Sequence, residues 1–423
     1  MEVLFKPPIL ILASVINRFF FAFTTFLLTL KCSQPRFSIG RSLGTFLRSY
    51  LILHMRLKRI PLIIFCFFLI SFSYGQTLEP GFDAQEYLQV LAIAFGKNED
   101  VQYSSPPPAT AFARAYQSHV VGLDNRWELW LRNDEKQVII SIRGTVATTT
   151  SWLANVYAAM QPATGTITLN DTTTFHYKLA DYPNATVHSG WLISLGAMAG
   201  DIEEKIKDYY RKGVKDFILS GHSQGGAITY LLRSYLYYRT KAGALPADIT
   251  YKTYCSAAPK PGNMYYAYDF DFINRNGWAF TVVNAADWVP ELPFSIQQLS
   301  DLNALNPFTD IQASLRKQKP MVRFYAGMVY KKLDRSTRKA QRRYQKYLGK
   351  KVGKQVKKAL PKMHPQEFAN TMNYMRAGTP VILMPDAAYF EDFPNDTKKR
   401  AGIWRHHSYN AYERLTKEYY LPD

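Results

Sequence analysis

The sequence has few cysteines and lacks the motifs of metal or nucleotide sites. Of its three cysteines, Cys32 and Cys66 lie in an N-terminal region that we expect to be removed, which leaves Cys255 alone. A single cysteine cannot form an intramolecular disulfide. The histidines and cysteines show no zinc-ligand spacing, and there is no phosphate-binding loop, dinucleotide fingerprint or internal repeat. We therefore expect no cofactor and no metal.

Acidic residues are scarce in one stretch of the chain, and most of the net positive charge lies there. The formal net charge is +19 over 423 residues, but Arg316–Lys362 alone holds 18 Lys and Arg residues and a single acid, Asp334. Outside this stretch and a basic N-terminal region, the chain is mildly acidic. The basicity is therefore a local property and not one of the whole chain.

Two apolar segments precede the body of the chain. Residues 9–30 are long enough to span a membrane, although Arg18 interrupts them. The second segment starts at Met55 with the basic stretch MRLKRI, continues with an apolar run and ends in the small-x-small site SYG, which predicts a signal peptide over 55–75. We expect translation from Met55 and export, as a periplasmic, outer-membrane-associated or secreted protein. The alternative is a real N-terminal region, residues 1–54, that anchors the protein in a membrane.

The motif around which the rest of the chain is organised is G-x-S-x-G. Phe217–Ser220 is an apolar run of strand length, GHSQG follows at once, and a helix-like pattern continues from Gly226. A serine at a sharp strand-to-helix turn projects its hydroxyl from the sheet, and the helix N-terminus offers N–H groups to a developing oxyanion. The bare pattern also occurs by chance in tight turns. Its setting between strand and helix predicts that Ser223 is a nucleophile.

Strand and helix patterns alternate along the chain. The predicted strands are Trp127–Leu131, Val138–Ile142, Phe217–Ser220, Ile249–Tyr254 and Phe280–Val283. Helices are predicted over Asp83–Phe95 with Asp83 as the cap, from His188 to about Tyr210, after Ser223 and at the C-terminus. This alternation predicts an α/β fold with a central sheet that is largely parallel.

A nucleophilic serine needs a base, an acid that orients the base, and an oxyanion hole. Asp287 follows the strand Phe280–Val283, and strand ends are where such sheets bind ligands, although a loop or capping aspartate would also occur there. The order serine, aspartate, histidine then requires a later histidine. The candidates are His364, which resembles ordinary surface, and the pair His406 and His407, one of which we expect to be the base.

Several ordered motifs carry a resemblance to a known family. They are IRGT (142–145) with WL (152–153), HSGW (188–191), GHSQG (221–225), APKPGN (258–263), NAADWVP (284–290), and a final histidine before a tyrosine-bearing helix. In these motifs the chain resembles the class 3 lipases, the fungal triacylglycerol lipase-like α/β-hydrolases. The resemblance covers about Asp83–Pro293 and the C-terminal end. It implies an α/β-hydrolase fold and cleavage of lipid esters, triacylglycerol or phospholipid, through an acyl-enzyme.

The resemblance also assigns roles to individual residues. It makes Asp287 the catalytic acid. The family's histidine often precedes a tyrosine by five residues, which favours His407 over His406 as the base. By the same similarity, the Thr145 N–H and hydroxyl and the Gln224 N–H form the oxyanion hole.

In the family, a mobile lid follows the Arg-Gly-Thr motif. Here that segment reads VATTTSWLANVYAAM, and Trp152, Leu153, Val156 and Tyr157 form an apolar face. The face could cover an acyl pocket, but an ordinary core helix explains it equally well.

The chain departs from the family between the acid and the base. The excess sequence, Ser300–Lys398, is basic and strongly helical in its middle. Either it presents a solvated helical face, or it is a cap that docks on anionic membrane surfaces or acidic polymers through Arg316–Lys362 and gates the site; nucleic acid is disfavoured in an exported protein. The predicted organisation is a signal peptide (55–75), a hydrolase core (76–299), a basic helical cap (300–398) and a C-terminal part of the core with the histidine (399–423).

Two rival functions stay open. One is an esterase for small soluble or polysaccharide acyl esters. The other is a non-catalytic membrane- or envelope-binding protein in which the basic cap is the function. The complete set of Ser223, Asp287 and His407 argues against the second, because a relic enzyme is free to lose any of the three.

Overall fold

A seven-stranded sheet organises the protein. The computed structural model describes residues 78–96, 106–364, 367–395 and 400–421, so the predicted signal peptide and residues 1–54 lie outside the described residues. In chain order the strands are β1 (Phe112–Gln117), β2 (Trp127–Arg132), β3 (Gln137–Ile142), β4 (Met160–Pro162), β5 (Thr164–Thr168), β6 (Thr174–Lys178), β7 (Thr186–His188), β8 (Asp216–His222), β9 (Thr250–Ser256), β10 (Gly262–Asn263), β11 (Ala279–Asn284), β12 (Tyr374–Met375) and β13 (Thr379–Leu383).

Helices lie between most of these strands. They are α1 (Ala84–Phe95), α2 (Thr149–Val156), α3 (Ser189–Arg211), α4 (Gln224–Lys241), α5 (Met264–Ile273), α6 (Ile311–Arg316), α7 (Pro320–Tyr344), α8 (Val352–Ala359), α9 (Ala387–Asp392) and α10 (Tyr409–Tyr420). A π-helix, Gln345–Lys351, joins α7 to α8, and 3₁₀ turns cover Val289–Glu291, Leu299–Asp301 and Arg400–His407. Among the described residues, no helix is both long and apolar enough to cross a membrane.

The central sheet has the order β1-β2-β3-β8-β9-β11-β13. β1, β2 and β3 pair antiparallel, and all later neighbours pair parallel. The prediction of an α/β fold with a mostly parallel sheet is confirmed. Smaller sheets, β12-β10-β7-β4 and the hairpin β5-β6, lie outside it.

Alternating side chains of the buried strands supply two separate cores. Val138 and Ile140 of β3 and Phe217 of β8 contribute to the core that includes α3 and α4. Ile139 and Ile218, which point to the opposite face, contribute to the core that includes α1 and α10. Helices thus cover both faces of the sheet, as its uniformly apolar strands require.

The region predicted to be a helical cap is not helical throughout. Helices α6, α7 and α8 and the π-helix account for 311–359. Residues 379–383, inside the predicted cap, instead form β13, which pairs in parallel with β11 as the last strand of the central sheet. The cap therefore does not extend to residue 398 as a purely helical unit, because the sheet takes up this short strand.

Candidate active site

Ser223 lies at the turn from β8 into α4. Its φ is 60° and its ψ is −128°, a combination that residues with side chains rarely adopt. Two glycines make the turn possible. A Cβ on Gly225 would lie 2.1 Å from the Ile142 carbonyl oxygen, and a Cβ on Gly221 would lie 2.3 Å from the Gly225 backbone. The N-terminus of α4 thus closely approaches β3 and β8, and Ser223 lines a cavity at the carboxyl end of the sheet.

The predicted acid and base are in direct contact. His407 Nδ1 donates to Asp287 Oδ2 at 2.7 Å, and the Tyr412 hydroxyl donates to the same oxygen at 2.8 Å. The Val289 backbone N–H donates to Oδ1 at 3.0 Å, and the carboxyl group is buried. Burial raises the pKa of Tyr412 well above its ordinary value, which keeps this hydroxyl a donor. Because an ionised carboxylate only accepts, the proton of a neutral His407 sits on Nδ1 and Nε2 can accept one.

The neighbouring histidine has other partners. His406 Nδ1 lies 2.8 Å from the Tyr389 hydroxyl, and His406 Nε2 lies 2.9 Å from Asn395 Oδ1. His364 forms an isolated β-bridge with Thr168 and does not line the cavity. The structure therefore brings His407, and neither of the other two candidates, to Asp287.

The buried histidine His222 supports His407, and sequence reasoning missed this role. His222 Nε2 lies 3.0 Å from the His407 carbonyl oxygen, and His222 Nδ1 lies 3.1 Å from Ser256 Oγ. Burial, and then the nearby His407, lower the pKa of His222 well below its ordinary value, so its ring is neutral at neutral pH. A neutral ring that donates from Nε2 accepts at Nδ1, where the Ser256 hydroxyl can donate. His222 thus holds the backbone of His407 in place.

The predicted oxyanion residues meet at Asn155, which sequence reasoning also missed. Asn155 Nδ2 donates to Thr145 Oγ1 at 2.9 Å, and Asn155 Oδ1 accepts from Gln224 Nε2 at 2.9 Å and from Trp191 Nε1 at 3.2 Å. Because Thr145 Oγ1 accepts a hydrogen bond from Asn155, its own O–H can donate elsewhere. Thr145 and Gln224 both line the cavity that Ser223 lines.

The cavity has a volume of about 530 Å³, within the range of ligand pockets. Its apolar lining includes Phe95, Trp152, Val156, Trp288, Val289, Leu292, Phe294 and Trp404. The Trp404 ring lies 5.7 Å from the His407 ring and 5.0 Å from the Trp288 ring. An apolar surface thus directly adjoins the predicted base.

The segment for which the sequence left open a pocket cover or a core helix forms α2, and the two sides of α2 differ. Trp152 and Val156, on α2, are exposed and line the cavity. Leu153 and Tyr157 pack into the core with α3 and α4. One side of this helix therefore faces the cavity, and the other side belongs to the core.

The basic region also contributes to the cavity. Tyr344 at the end of α7 and Leu348 in the π-helix line it. The Leu348 carbonyl accepts a hydrogen bond of 3.3 Å from the Ala159 N–H, which follows α2 closely in the chain. The cap and the core thus build one cavity wall together.

The described residues contain no group of three or more His, Cys, Asp or Glu side chains that could hold a metal ion. Cys255 is buried and unpaired.

One part of the chain matches a known protein family. A family model described as lipase (class 3) matches residues 139–297, which include Ser223 and Asp287. No curated protein matches the chain.

Several solved structures are similar over about half of the chain. A triacylglycerol lipase from Penicillium expansum is 17% identical with a TM-score of 0.36, covering 50% of this chain and 75% of its own. A mutant of MDLA from Penicillium cyclopium is 18% identical with a TM-score of 0.35, covering 50% and 73%. The Rhizomucor miehei lipase in its propeptide complex is 18% identical with a TM-score of 0.35, covering 52% and 68%. Likenesses this weak carry no argument about chemistry.

The family match, by contrast, falls on the segment that holds the strand-turn-helix serine and the acid. Residues 139–297 therefore match the class 3 lipases, and this match supports a lipase-like carboxylic ester hydrolase with a serine nucleophile.

Proposed function

We propose that Ser223, His407 and Asp287 form the catalytic triad, with Thr145 and Gln224 as the oxyanion hole. The observation that carries this proposal is the 2.7 Å bond between His407 and Asp287, on a cavity that Ser223 and His407 both line. In this arrangement the acid fixes the tautomer of the base, and the base faces the space that the nucleophile occupies.

The reaction follows in two halves. His407 Nε2 takes the Ser223 proton while Oγ attacks the ester carbonyl carbon, and the Thr145 and Gln224 N–H groups stabilise the tetrahedral oxyanion. The carbon–oxygen bond to the alcohol then breaks, and the alcohol leaves with the proton from His407. Water, deprotonated by the same nitrogen, attacks the acyl-enzyme and releases the carboxylic acid and the free serine.

We propose a lipid ester, triacylglycerol or phospholipid, as the substrate. The tryptophan, valine and phenylalanine side chains of the cavity suit an acyl chain, because burying apolar surface favours binding by about 25 cal/mol per Å². An esterase for small soluble or polysaccharide esters would need polar groups in the cavity to recognise its substrate. The apolar lining therefore favours the lipid.

We also propose that the protein is exported after cleavage of residues 55–75. Its hydrolase core would comprise 76–299, strand β13 (Thr379–Leu383) and 399–423, and it would carry the basic helices within 311–359 as an insertion. N-terminal sequencing of the exported protein tests this. A mature start at Gln76 supports it, whereas a protein that retains residues 1–54 contradicts it.

The first experiment is hydrolysis of p-nitrophenyl esters of increasing chain length by the purified protein and by Ser223→Ala. Activity that rises with chain length and is lost in the variant supports the lipid ester hydrolase. Activity confined to short chains, with no gain above substrate saturation, supports the soluble esterase instead.

A fluorophosphonate probe separates these outcomes from a non-catalytic protein. It labels a reactive serine covalently, so labelling of the wild type and not of Ser223→Ala supports the proposed nucleophile. Absence of both labelling and hydrolysis contradicts the proposal and favours a function that resides in the basic helices.

A further inference from the structure

Helix α7 presents a continuous stripe of side chains that changes character along its length. Met321, Tyr325 and Met328 begin the stripe, at alternating spacings of four and three residues. Lys332, Arg335, Lys339 and Arg342 continue it at the same spacings. Residues so spaced lie on one face of an α-helix. The first half of this outer face is therefore apolar and the second half cationic.

The apolar half is open to solvent. The exposed fractions are 67% for Met321, 64% for Phe324 and 54% for Tyr325, and Val322, Val329 and Leu333 beside them are also exposed. Several of the less exposed residues of α7 lie on the opposite side, among them Tyr330, Thr337, Gln341 and Tyr344. Large apolar side chains gathered on one exposed helix face mark an interaction surface.

The cationic half is exposed as well. Arg335, Lys339, Arg342 and Arg343 are all exposed, and Lys346 extends the face into the π-helix. The single acid of the helix, Asp334, pairs with Arg338. The other cations of this half, from Lys332 to Arg343, therefore stand beside an apolar tip with no second acid among them.

We propose that the outer face of α7 docks on an anionic lipid surface, the apolar half inserting among the acyl chains and the cationic half lying at the headgroups. Charge complementarity selects this partner, since each Lys or Arg near an anionic bilayer adds to the attraction. A soluble polyanion would leave the apolar half unused. A second copy of the chain would bring two strongly cationic faces together.

The cavity lies at the opposite end of α7 from the apolar half. Residue Phe324 and residue Tyr344 are separated by about 30 Å along the helix axis, at 1.5 Å per residue. In the proposed orientation the apolar end of α7 enters the membrane, while Tyr344 at its other end is among the residues that line the cavity. This inference rests on the proposed function, a hydrolase of lipid esters that must meet its substrate at a lipid surface.

The test measures partition of the full chain into vesicles of phosphatidylcholine with and without phosphatidylglycerol. Ether-linked lipids and a Ser223→Ala background remove hydrolysis from the readout. Two variant sets probe the two halves: Phe324→Ser with Met328→Ser, and Arg335→Glu with Lys339→Glu and Arg342→Glu. The matched controls are Phe272→Ser, which is 63% exposed on α5, and the exposed set Lys136→Glu, Lys212→Glu and Arg275→Glu.

The apolar set is expected to lower partition into anionic vesicles by about 10-fold, and the charge set by about 100-fold. Partition of the control variants should stay within about 2-fold of that of the parent protein. All the proteins compared contain residues 1–77, so any contribution of that region to partition is the same in each. Equal partition of the parent into both vesicle types overturns the proposal. So does loss with the charge set alone, which indicates a polyanion site. Failure of the hydrolase proposal would appear separately, as absent ester cleavage and probe labelling in the wild type.

Discussion

The core and the basic helices meet at one cavity but are built in opposite ways. On the core side, Asp287, His222 and Gln224 are buried, and hydrogen bonds tie each one to its neighbours. On the other side, most of α7 is exposed, and the basic region reaches the cavity through Tyr344 and Leu348. A site that moves protons needs fixed donors and acceptors, whereas an acyl-chain wall needs only apolar shape. The difference predicts that changes in the core abolish chemistry and changes in the basic helices alter selectivity.

The largest expected effect is at the proposed base. We expect His407→Gln to lower kcat by about 10⁴-fold or more, because the serine then lacks a proton acceptor next to Asp287. Steady-state ester hydrolysis measures the loss. The neighbouring variant His406→Gln is the matched control, since His406 contacts Tyr389 and Asn395. Similar losses in both variants would contradict the assignment of His407.

The next effect concerns the position of the oxyanion donors. Asn155→Ala removes the amide that bonds to the Thr145 hydroxyl and to the Gln224 side chain. Gln224 Nε2 keeps its bond to the Ser151 carbonyl oxygen, so the Thr145 side chain is the one that becomes free to move. We expect kcat to fall about 100-fold with little change in KM, as when one oxyanion donor is lost. An equal change in kcat and KM would indicate that Asn155 shapes substrate binding instead. Asn133→Ala, an exposed asparagine, serves as the control.

The core also contains a pH-sensitive group. Burial lowers the pKa of His188 to about 3, and its ring stacks on Trp191 at 3.6 Å. Because the folded pKa is depressed, this neutral ring contributes stability above the unfolded pKa of about 6.5, and the contribution is lost as pH falls toward about 3.

Between pH 7 and pH 5 we expect His188 to account for a loss on the order of 2 kcal/mol in the free energy of unfolding. Urea denaturation at both pH values measures it in the wild type, in His188→Gln and in His176→Gln, whose histidine is exposed. The pH-dependent loss should shrink in His188→Gln and persist in His176→Gln. A loss that is the same in all three proteins would contradict the role of His188.

Local patterns predicted much of the fold and the pairing at the site. The predicted first helix is α1, and Asp83 caps it by accepting a hydrogen bond from the Glu86 N–H at 2.9 Å. The strand before Asp287 and the final helix after His407 placed an acid and a histidine that the structure brings together. Such features depend on periodicity and caps within short segments, which a sequence displays directly.

What the sequence did not reveal depends on contacts between distant segments. Asn155 bonds to Gln224, 69 residues away, and His222 bonds to the carbonyl of His407, 185 residues away. No local pattern encodes these pairs. Strand β13 was missed for another reason. It is short, half exposed and contains Pro380, as suits an edge strand, so it lacks the apolar run of a central strand.

The smallest expected effect tests the cap side of the cavity. Leu348 lines the cavity, whereas the adjacent Tyr347 does not line it and is 48% exposed. Leu348→Trp should fill part of the cavity that would hold the acyl chain. We expect kcat/KM for long-chain esters to fall about 10-fold relative to short-chain esters, because a pocket discriminates by about this factor between substrates that differ by a few methylene groups. Tyr347→Ala should leave that ratio unchanged. If Leu348→Trp instead lowers hydrolysis of all chain lengths equally, the basic helices share in the chemistry, and the contrast between the two sides of the cavity is wrong.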